Sequence, residues 1–441
     1  MLKRKITQKL IEWKKDPHHL PLIIKGCRQC GKTVSVLDFA HSQYRHTVYL
    51  NFFENPSYAS LFQGSLKVDY LTMMMTALLG KEAVFEPGHT IIILDEIQEC
   101  PEARTALKFF KLDGRYDVIG TGSLLGVEGY GQPKSIPVGY ESIMTMVPMD
   151  FEEFLWANGI SEELITLLKT CLKNEVPVPP PLHEKMRELL LQYTVVGGMP
   201  AVVQEFVNSG NMAKVLSMQR DLVSSYEDDM VKYAPDRDKV RIRAAFRSIP
   251  QQLAKDNKKF QYSLVEKRGT AAKFESCLEW IEDAGLIYRC CNLNTPALPL
   301  AGNAEPSIFK IYMADTGLFI SMLDDGTQFD ILSGNLSAYK GAIFENLAAD
   351  FFGKMGRKLY YFRKPSGLEI DFVIRYHNEA TLVEVKATNG RTKSTRTILE
   401  NPDKYHVKQA IKLGDTQIGR NGPLLTLPLY MGAFLEKDHS R

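Results

Sequence analysis

The sequence predicts an α/β protein whose N-terminal part is a doubly wound parallel sheet. Short apolar runs suited to buried strands, such as Leu22–Ile24 and Ile91–Leu94, alternate with helical patterns through about residue 125. Polar residues follow these runs at the points where the strands would end. Ligands bind such sheets at the carboxyl ends of their strands, so we expect the functional site at this edge.

The most specific motif lies between the first strand and the first helix of this pattern, and reads G-x-x-x-x-G-K-T. Its glycines can adopt positive φ angles that let backbone N–H groups curl around an anion, and the following helix adds the positive end of its dipole. Lys32 would reach the β- and γ-phosphates of ATP, and the Thr33 hydroxyl would hold Mg²⁺. A chance glycine turn is the alternative interpretation. The predicted ATP-binding residues are Gly26, Cys27, Arg28, Gln29, Cys30, Gly31, Lys32 and Thr33.

Two further polar groups follow later strands of the pattern. Asp95 directly follows an apolar run, which is the usual position of the acid that holds Mg²⁺ in proteins with such a phosphate loop. Glu96, the next residue, would orient and deprotonate the water that attacks the γ-phosphate. Thr121 or Ser123, after the next run, would contact the γ-phosphate. A solvated helix start is the alternative for the two acids. Together with the loop, these residues predict Mg²⁺-dependent binding of ATP and its hydrolysis to ADP and phosphate.

Composition bounds the class of protein. The chain has 441 residues, an ordinary charged fraction of 24% and a net charge of +2, so any nucleic-acid surface must be local. Its seven cysteines are scattered, which suggests reduced thiols and a cytoplasmic protein. Cys27 and Cys30 form a C-x-x-C, but no second pair lies at zinc-finger spacing. We find no signal peptide and no membrane span in the sequence, and predict no membrane partner.

A second group of chemical residues lies near the C-terminus, in two predicted strands joined by His377–Asn378. If this pair forms a two-residue hairpin turn, Asp371 lies opposite Glu384 and Glu369 lies opposite Lys386. Opposed Cβ atoms are roughly 4.5–5.5 Å apart, close enough for two carboxylates to share Mg²⁺ or Mn²⁺. Lys386 would stabilise charge developing on a phosphodiester. The alternatives are a solvated hairpin face and a decayed nuclease fold that is kept for binding.

Two further observations nearby bear on this site: an upstream acid supports the metal site, and a local basic excess favours a polyanionic partner. Glu345, on a predicted helix upstream, interrupts an otherwise apolar face. Residues 351–420 contain fourteen lysines and arginines but only seven aspartates and glutamates. This local excess of positive charge is hidden by the global balance, and suits DNA or RNA.

These motifs resemble those of the prokaryotic AAA-type ATPases that carry a C-terminal domain of unknown function with a restriction-endonuclease-like core. The resemblance covers about residues 1–435. It is carried by Pro21–Thr33, Leu94–Gln98, Gly120–Ser123 and Phe151–Leu155, and in the C-terminal part by Glu345, Asp371, Glu384 and Lys386. It implies a nuclease-like site at those last four residues. Such proteins usually have a basic residue after Pro-Val-Gly, where this chain has Tyr140, so the source of any arginine finger stays open.

The middle of the chain is predicted to be helical. A helix at 239–254 that is kinked by Pro250, a second at 273–285 and a strand at 286–291 resemble a winged-helix unit, although the interleaved arginines suit a solvated face equally well. The predicted division is an ATPase domain at 1–160, a proline-rich linker at 161–182, a helical or winged-helix region at 183–330 and an α/β restriction-endonuclease-like domain at 331–441.

Three functional hypotheses follow. The first is an Mg²⁺-dependent ATPase coupled to a nuclease-like, nucleic-acid-binding domain. The second is an ATP-gated nuclease that cleaves DNA or RNA with its own divalent metal, for example in defence against foreign DNA. The third is a nucleotide-responsive DNA-binding or scaffold protein without turnover. ATP is the predicted partner in each, and DNA or RNA and further copies of this chain are candidate partners.

Overall fold

The computed structural model describes residues 2–123, 139–234, 237–255, 258–335, 339–386 and 393–437. The chain divides into two compact units. The first is Met1–Pro148 with Asp283–Gly285, and the second is Met149–Glu282 with Leu286–Arg441. Within the described ranges, no helix combines the length and apolar character needed to cross a membrane. The finer division into domains, made from the sequence, stays a prediction.

The first unit contains a five-stranded sheet in which every strand pair is parallel, in the order β2-β3-β4-β1-β5. Its strands are β1 (Leu22–Gly26), β2 (His46–Asn51), β3 (Thr90–Asp95), β4 (Asp117–Ser123) and β5 (Ser142–Met146). Its helices are α1 (Lys5–Lys15), α2 (Lys32–Gln43), α3 (Val68–Leu79) and α4 (Pro101–Asp113). The predicted parallel sheet is confirmed, and β5 is a strand that the sequence pattern did not reveal.

Both faces of this sheet are buried, because alternate residues of each strand enter different cores. Ile24 packs in one core with Leu10 of α1 and Phe39 of α2. Ile23, its neighbour, packs in the other core with residues of α3 and α4 such as Leu107. Helices on both faces account for the unbroken apolar run in β3, and make the sheet doubly wound.

The second unit is a mixture of helices and two sheets, with strand orders β10-β11-β12-β14-β13 and β7-β6-β8-β9. Its helices are α5 (Phe151–Ala157), α6 (Glu162–Asn174), α7 (Pro180–Val196), α8 (Pro200–Ser209), α9 (Met212–Tyr233), α10 (Lys239–Arg247), α11 (Ile249–Leu253), α12 (Tyr262–Val265), α13 (Ala271–Asp283), α14 (Thr316–Ser321), α15 (Thr327–Leu332), α16 (Lys340–Lys354), α17 (Lys393–Leu399) and α18 (Pro402–Tyr405). Its strands are β6 (Ile287–Leu293), β7 (Ala304–Met313), β8 (Leu359–Arg363), β9 (Glu369–Ile370), β10 (Phe372–Tyr376), β11 (Glu379–Lys386), β12 (Gln409–Gly414), β13 (Gly419–Asn421) and β14 (Leu424–Pro428).

Residues 161–182, predicted as a linker, contain helix α6. The Ser161 side chain caps this helix by accepting a hydrogen bond from the backbone of Leu164. Apolar residues such as Leu168 are buried along one side of the helix. The proline cluster ends with Pro180 and Pro181 in the first turn of α7, where proline is tolerated because its missing N–H would have no partner anyway.

The helices expected in the middle of the chain form close to the predicted positions. The chain breaks between α10 and α11, and Pro250 lies in the first turn of α11. Helix α13 is followed by β6, which pairs with β7 in antiparallel fashion. Two of the interleaved arginines form ion pairs, Arg247 with Glu227 and Arg241 with Asp238. These pairs favour a solvated face, and the winged-helix assignment stays a prediction.

The hairpin β10–β11 has the predicted register. Its ladder runs from Tyr376↔Glu379 to Phe372↔Val383, and both turn residues, His377 and Asn378, have positive φ angles. One part of the expectation is wrong, however: the predicted strand is interrupted at Asp371. The residue before it, Ile370, belongs to β9 and pairs with β8 instead of continuing along β11.

A buried ionic network holds the core of the second unit together. The fully buried Lys354 ammonium lies 2.7 Å from Asp350 Oδ1 and 3.1 Å from Asp315 Oδ2. It also donates to the Tyr193 hydroxyl at 2.9 Å. The Gly198 backbone N–H donates to Asp315 Oδ2 at 2.7 Å. Through these contacts the network around Lys354 of α16 connects Tyr193 of α7, the turn after α7, and Asp315, which directly precedes α14. Burial, partly offset by Lys354, raises the pKa of Asp350 to about 7.

We predict that Lys354→Met lowers the free energy of unfolding by about 3–5 kcal/mol, because it removes the ammonium partner of two buried carboxylates, Asp315 and Asp350. Asp350→Asn is the matched control. It should cost no more than about 1.5 kcal/mol, since an amide can still accept from Lys354 and donate to Tyr193, and Asp350 is already partly neutral at pH 7. Urea unfolding at pH 7, followed by tryptophan fluorescence, measures both changes. Equal losses for the two variants would contradict this account of the network.

Candidate active site

The loop between β1 and α2 has the backbone conformation of an anion cradle. Gln29 has φ +60° and Gly31 has φ +93°, so two residues of the turn have left-handed backbone before α2 begins at Lys32. Successive N–H groups in such a turn point towards one centre. A Cβ at Gly26 would lie 2.3 Å from the Met146 carbonyl oxygen of β5. Only glycine therefore fits at the start of the loop.

Lys32 lies over this loop and not out in solvent. Its Nζ donates to the carbonyl oxygens of Gly26 at 3.1 Å and Cys27 at 2.9 Å. Arg4, which directly precedes α1, supports the loop from behind. Its guanidinium donates to the carbonyl oxygens of Cys30 at 2.8 Å and Val147 at 2.7 Å. The Lys32 ammonium group therefore lies against the backbone of the phosphate loop.

Asp95 is the last residue of β3, which lies between β2 and β4, and is 2% exposed. Its Oδ2 accepts hydrogen bonds from the Thr33 hydroxyl at 3.0 Å and the Tyr49 hydroxyl at 2.7 Å. Asn51, directly opposite Asp95 in the parallel register, donates to the same oxygen at 3.4 Å. The other carboxylate oxygen, Asp95 Oδ1, accepts from the Thr121 hydroxyl. The sheet has therefore brought together the loop, β2, β3 and β4 on a single carboxylate.

The remaining predicted residues lie around this carboxylate. Glu96 has φ +52°, and its side chain accepts a hydrogen bond from Gln98. This left-handed residue turns the chain out of β3, and leaves Glu96 half-buried beside Asp95. Ser123 pairs with Gly26 in the register of β1 and β4. Ser123 is thus next to the start of the loop, whereas Thr121 is bonded to Asp95.

Both cysteines of the loop are buried. The Cys30 thiol donates to the Met146 carbonyl oxygen, with a sulfur–oxygen distance of 3.6 Å. A hydrogen bond from Cys27 lowers the pKa of Cys30 to about 6, with Lys32 and Arg4 contributing and burial opposing. No group of three or more histidines, cysteines, aspartates or glutamates within the described ranges is arranged to hold a metal ion.

Tyr140 occupies the position at which the family resemblance leads us to expect a basic residue. In the structure, the Nζ of Lys108 lies 5.2 Å from the centre of the Tyr140 ring. The next residue, Glu141, forms an ion pair with Arg104 at 2.5 Å. A basic group therefore lies beside this position, although the residue itself is aromatic.

The C-terminal acids predicted as a nuclease site are found in one buried charged centre, each with its own partners. Both oxygens of Glu345 are occupied, one by Lys258 and the other by the Tyr312 hydroxyl at 3.0 Å. Burial would raise the pKa of Glu345, but the charges of Lys310 and Lys258 outweigh it and bring the pKa to about 2. Asp371 has the opposite shift: burial and then the charge of Glu345 raise its pKa to about 7.

Asp371 and Glu384 do not face each other as a free carboxylate pair. The ladder of β10 and β11 ends before them, because Asp371 Oδ2 accepts the Val385 backbone N–H at 2.8 Å. Glu384 Oε1 accepts from the backbone N–H and hydroxyl of Thr395, and its Oε2 lies 2.9 Å from Lys386 Nζ.

Glu369 was expected opposite Lys386, and this expectation is wrong. Glu369 pairs with Arg363 of β8, and its Oε1 lies 2.9 Å from the buried Lys310 Nζ. The physical reason is the interruption at Asp371, since its bond to the Val385 N–H ends the strand and Glu369 continues into the other sheet.

Comparison with protein families assigns three segments of the chain. Residues 18–155 match the model of an AAA domain (AAA_14). The N-terminal region is thus an AAA-type P-loop domain. Residues 187–328 and 340–430 match two domains of unknown function, DUF8612 and DUF4143. No curated protein matches the chain.

Several solved structures are similar to the chain at low identity. The Walker-type ATPase PABY2304 of Pyrococcus abyssi is 16% identical, with a TM-score of 0.43, over 73% of this chain and 96% of that chain. The ORC1 protein of Aeropyrum pernix in complex with DNA is 11% identical, with a TM-score of 0.28, over 76% and 93%. Cdc6p of Pyrobaculum aerophilum is 12% identical, with a TM-score of 0.25, over 76% and 94%.

The first unit contains three functional candidates that the sequence interpretation missed. Asn51 and Tyr49 of β2 both bond to Asp95, and Arg4 holds the phosphate loop. Asn51 could have been found in the same way as Asp95, because it too is a polar residue at the carboxyl end of a parallel strand, where ligands bind. Tyr49 and Arg4 carried no comparable signal, because their contacts depend on the tertiary fold. Burial and the neighbouring Asp95 raise the pKa of Tyr49, so it remains a hydrogen-bond donor to that carboxylate.

Proposed function

We propose that the AAA domain binds ATP with Mg²⁺ and hydrolyses it to ADP and phosphate. The observation that carries this proposal is the 3.0 Å distance between the Thr33 hydroxyl and the Asp95 carboxylate, directly beside the phosphate loop. A hydroxyl and a carboxylate at this spacing offer two oxygen ligands of the kind that Mg²⁺ prefers. The loop supplies the N–H donors, and Lys32 supplies the positive charge for the phosphates.

We assign each residue around Asp95 a separate role in ATP hydrolysis. Thr33 and Asp95 would hold Mg²⁺, which neutralises charge on the β- and γ-phosphate oxygens. Lys32 would leave its loop carbonyls and bind the phosphates through charge-assisted hydrogen bonds. We assign Glu96 as the base that orients the attacking water and takes its proton. Ser123, beside Gly26, would contact the γ-phosphate.

Thr121 takes a different role from the one predicted. Its hydroxyl donates to Asp95, so we propose that it positions this carboxylate together with Tyr49 and Asn51. A carboxylate oriented by several donors keeps its place when the metal ion and nucleotide leave.

Coupling of this ATPase to nucleic acid is a further proposal. The basic excess of residues 351–420 supports a polyanionic partner for the C-terminal domain. DNA, RNA, further copies of the chain and a cytoplasmic location remain predictions from the sequence. Metal-dependent cleavage and nucleotide-responsive binding without turnover are the two alternatives for the C-terminal domain.

The test is phosphate release from ATP by the intact protein over a range of Mg²⁺ concentrations. We predict that Thr33→Ala raises the Mg²⁺ concentration for half-maximal activity roughly tenfold, a loss of about 1.4 kcal/mol, because one of two side-chain metal ligands is gone. Thr76→Ala, an exposed threonine of α3, is the matched control and should behave as wild type.

Two results would count against the proposal. One is a wild-type protein that binds ATP but releases no phosphate at any Mg²⁺ concentration, which would favour a nucleotide-responsive scaffold. The other is a Thr33→Ala variant with the Mg²⁺ dependence of wild type, which would remove this threonine from the metal site.

A further inference from the structure

The charged centre of the second unit contains a lysine in an unusual environment. Lys310, in β7, is 1% exposed, so its ammonium group has no access to bulk water. Its Nζ lies 2.9 Å from Glu369 Oε1 and 3.8 Å from Glu345 Oε2. Burial alone would lower the pKa of Lys310, but the charges of Glu345, Glu369 and Asp371 outweigh it and raise the pKa. The ammonium group is therefore an internal cation held by the carboxylates of Glu369 and Glu345.

The acids around Lys310 include the carboxylates that would have to serve as ligands of a divalent ion. Glu345, on α16, and Asp371, between β9 and β10, were predicted from the sequence as metal ligands. Lys258 and Tyr312 occupy both oxygens of Glu345, and Lys386 and Thr395 occupy both oxygens of Glu384. Three ammonium groups thus already offset most of the charge of the four carboxylates.

A divalent ion does not fit this arrangement. Mg²⁺ requires several oxygen ligands at about 2.0–2.1 Å in nearly octahedral geometry. Three of these carboxylates already lie against ammonium groups that a divalent ion would have to displace: Glu345 against Lys258, Glu369 against Lys310 and Glu384 against Lys386. The side-chain donors on Asp95, by contrast, are uncharged. An ion placed among these acids would also lie within a few ångströms of the Lys310 charge, in an interior where repulsion is poorly screened.

We propose that Lys310 is the resident cation of this centre, and that it takes the place which a divalent metal ion would need. The C-terminal domain would then hold its acids together without Mg²⁺ or Mn²⁺. Its basic surroundings would serve to bind a polyanion, without cleaving it by a metal-dependent route. This proposal is independent of ATP hydrolysis in the AAA domain.

The experiment uses Mn²⁺ and the intact protein without nucleotide, with thermal unfolding and direct Mn²⁺ binding as readouts. We expect wild type to have no Mn²⁺ site that depends on Asp371, so wild type and Asp371→Asn bind equal amounts of Mn²⁺. We expect Lys310→Met to unfold at a lower temperature and to be stabilised by Mn²⁺ through one new site. That site should be lost in Lys310→Met/Asp371→Asn. Lys404→Met, an exposed lysine of α18, is the control and should gain no site.

The wild-type comparison keeps the proposal testable even if Lys310→Met does not fold. A Mn²⁺ site in wild type that disappears in Asp371→Asn would overturn the proposal. So would Mn²⁺-dependent cleavage of supercoiled plasmid by wild type that is lost in Asp371→Ala/Glu384→Ala. A folded Lys310→Met variant that binds no additional Mn²⁺ would overturn it as well. Loss of ATP hydrolysis in any variant would not bear on it.

Discussion

Replacing Lys32 with alanine is expected to weaken ATP binding by roughly 100-fold and to bring phosphate release down to background. The reason is geometric: the Lys32 ammonium already lies against the loop, where it donates to the carbonyl oxygens of Gly26 and Cys27. Bound phosphate would replace these neutral acceptors with charged ones, which makes stronger hydrogen bonds. A 100-fold loss corresponds to about 2.7 kcal/mol. Titration of wild type and Lys32→Ala with ATP in the presence of Mg²⁺ measures the two affinities directly.

Lys9→Ala, an exposed lysine of α1, is the matched control, because it removes the same charge from the same unit away from the loop. It should bind and hydrolyse ATP as wild type does. Equal ATP affinity in wild type and Lys32→Ala would remove this lysine, and with it the phosphate loop, from the nucleotide site.

Replacing Glu96 with glutamine is expected to separate binding from chemistry. The amide has nearly the same shape, so the affinity for ATP should change less than about threefold, whereas hydrolysis should fall by about 10²–10⁴-fold because glutamine cannot accept the proton of water. The side chain is half-buried and directly follows Asp95 at the end of β3. We expect a water that attacks a phosphate bound in the loop to come within its reach. Single-turnover rates with saturating protein report the chemical step.

Glu99→Gln provides the control for this charge change, since Glu99 is exposed and only three residues away. Its rate should equal that of wild type. If Glu96→Gln hydrolyses ATP at the wild-type rate, the base must be another group. If it loses affinity for ATP as severely as Lys32→Ala, Glu96 acts in binding and not in the chemical step.

Local patterns predicted the parts of the fold that depend on local physics. The apolar run before Asp95 required a strand buried on both faces, and the parallel sheet of the first unit provides both cores. The turn at His377–Asn378 determined the register of the hairpin β10–β11, because a two-residue turn leaves no freedom in pairing. The carboxyl ends of parallel strands share one edge of the sheet, so the sequence also predicted that Thr33 lies close to Asp95, and the two side chains are hydrogen-bonded.

The parts that the sequence could not predict depend on contacts between distant segments. Lys258 and Lys310 come from separate elements to meet the acids of the charged centre, and no spacing in the sequence links them to Glu345. The interruption at Asp371 depends on one side chain taking a backbone N–H of the neighbouring strand. An alternating pattern does not reveal such competition between a side chain and a ladder.

We propose that Thr33, Asp95 and Glu96 form one site for ATP hydrolysis. Single-turnover incubation of the intact protein with ATP labelled on the γ-phosphate tests it most directly. We predict labelled phosphate from wild type with Mg²⁺, none after the metal is chelated, and labelled ATP that stays bound but intact in Glu96→Gln. Wild-type protein that binds ATP without releasing labelled phosphate, or release that persists in Lys32→Ala/Glu96→Gln, would contradict the claim.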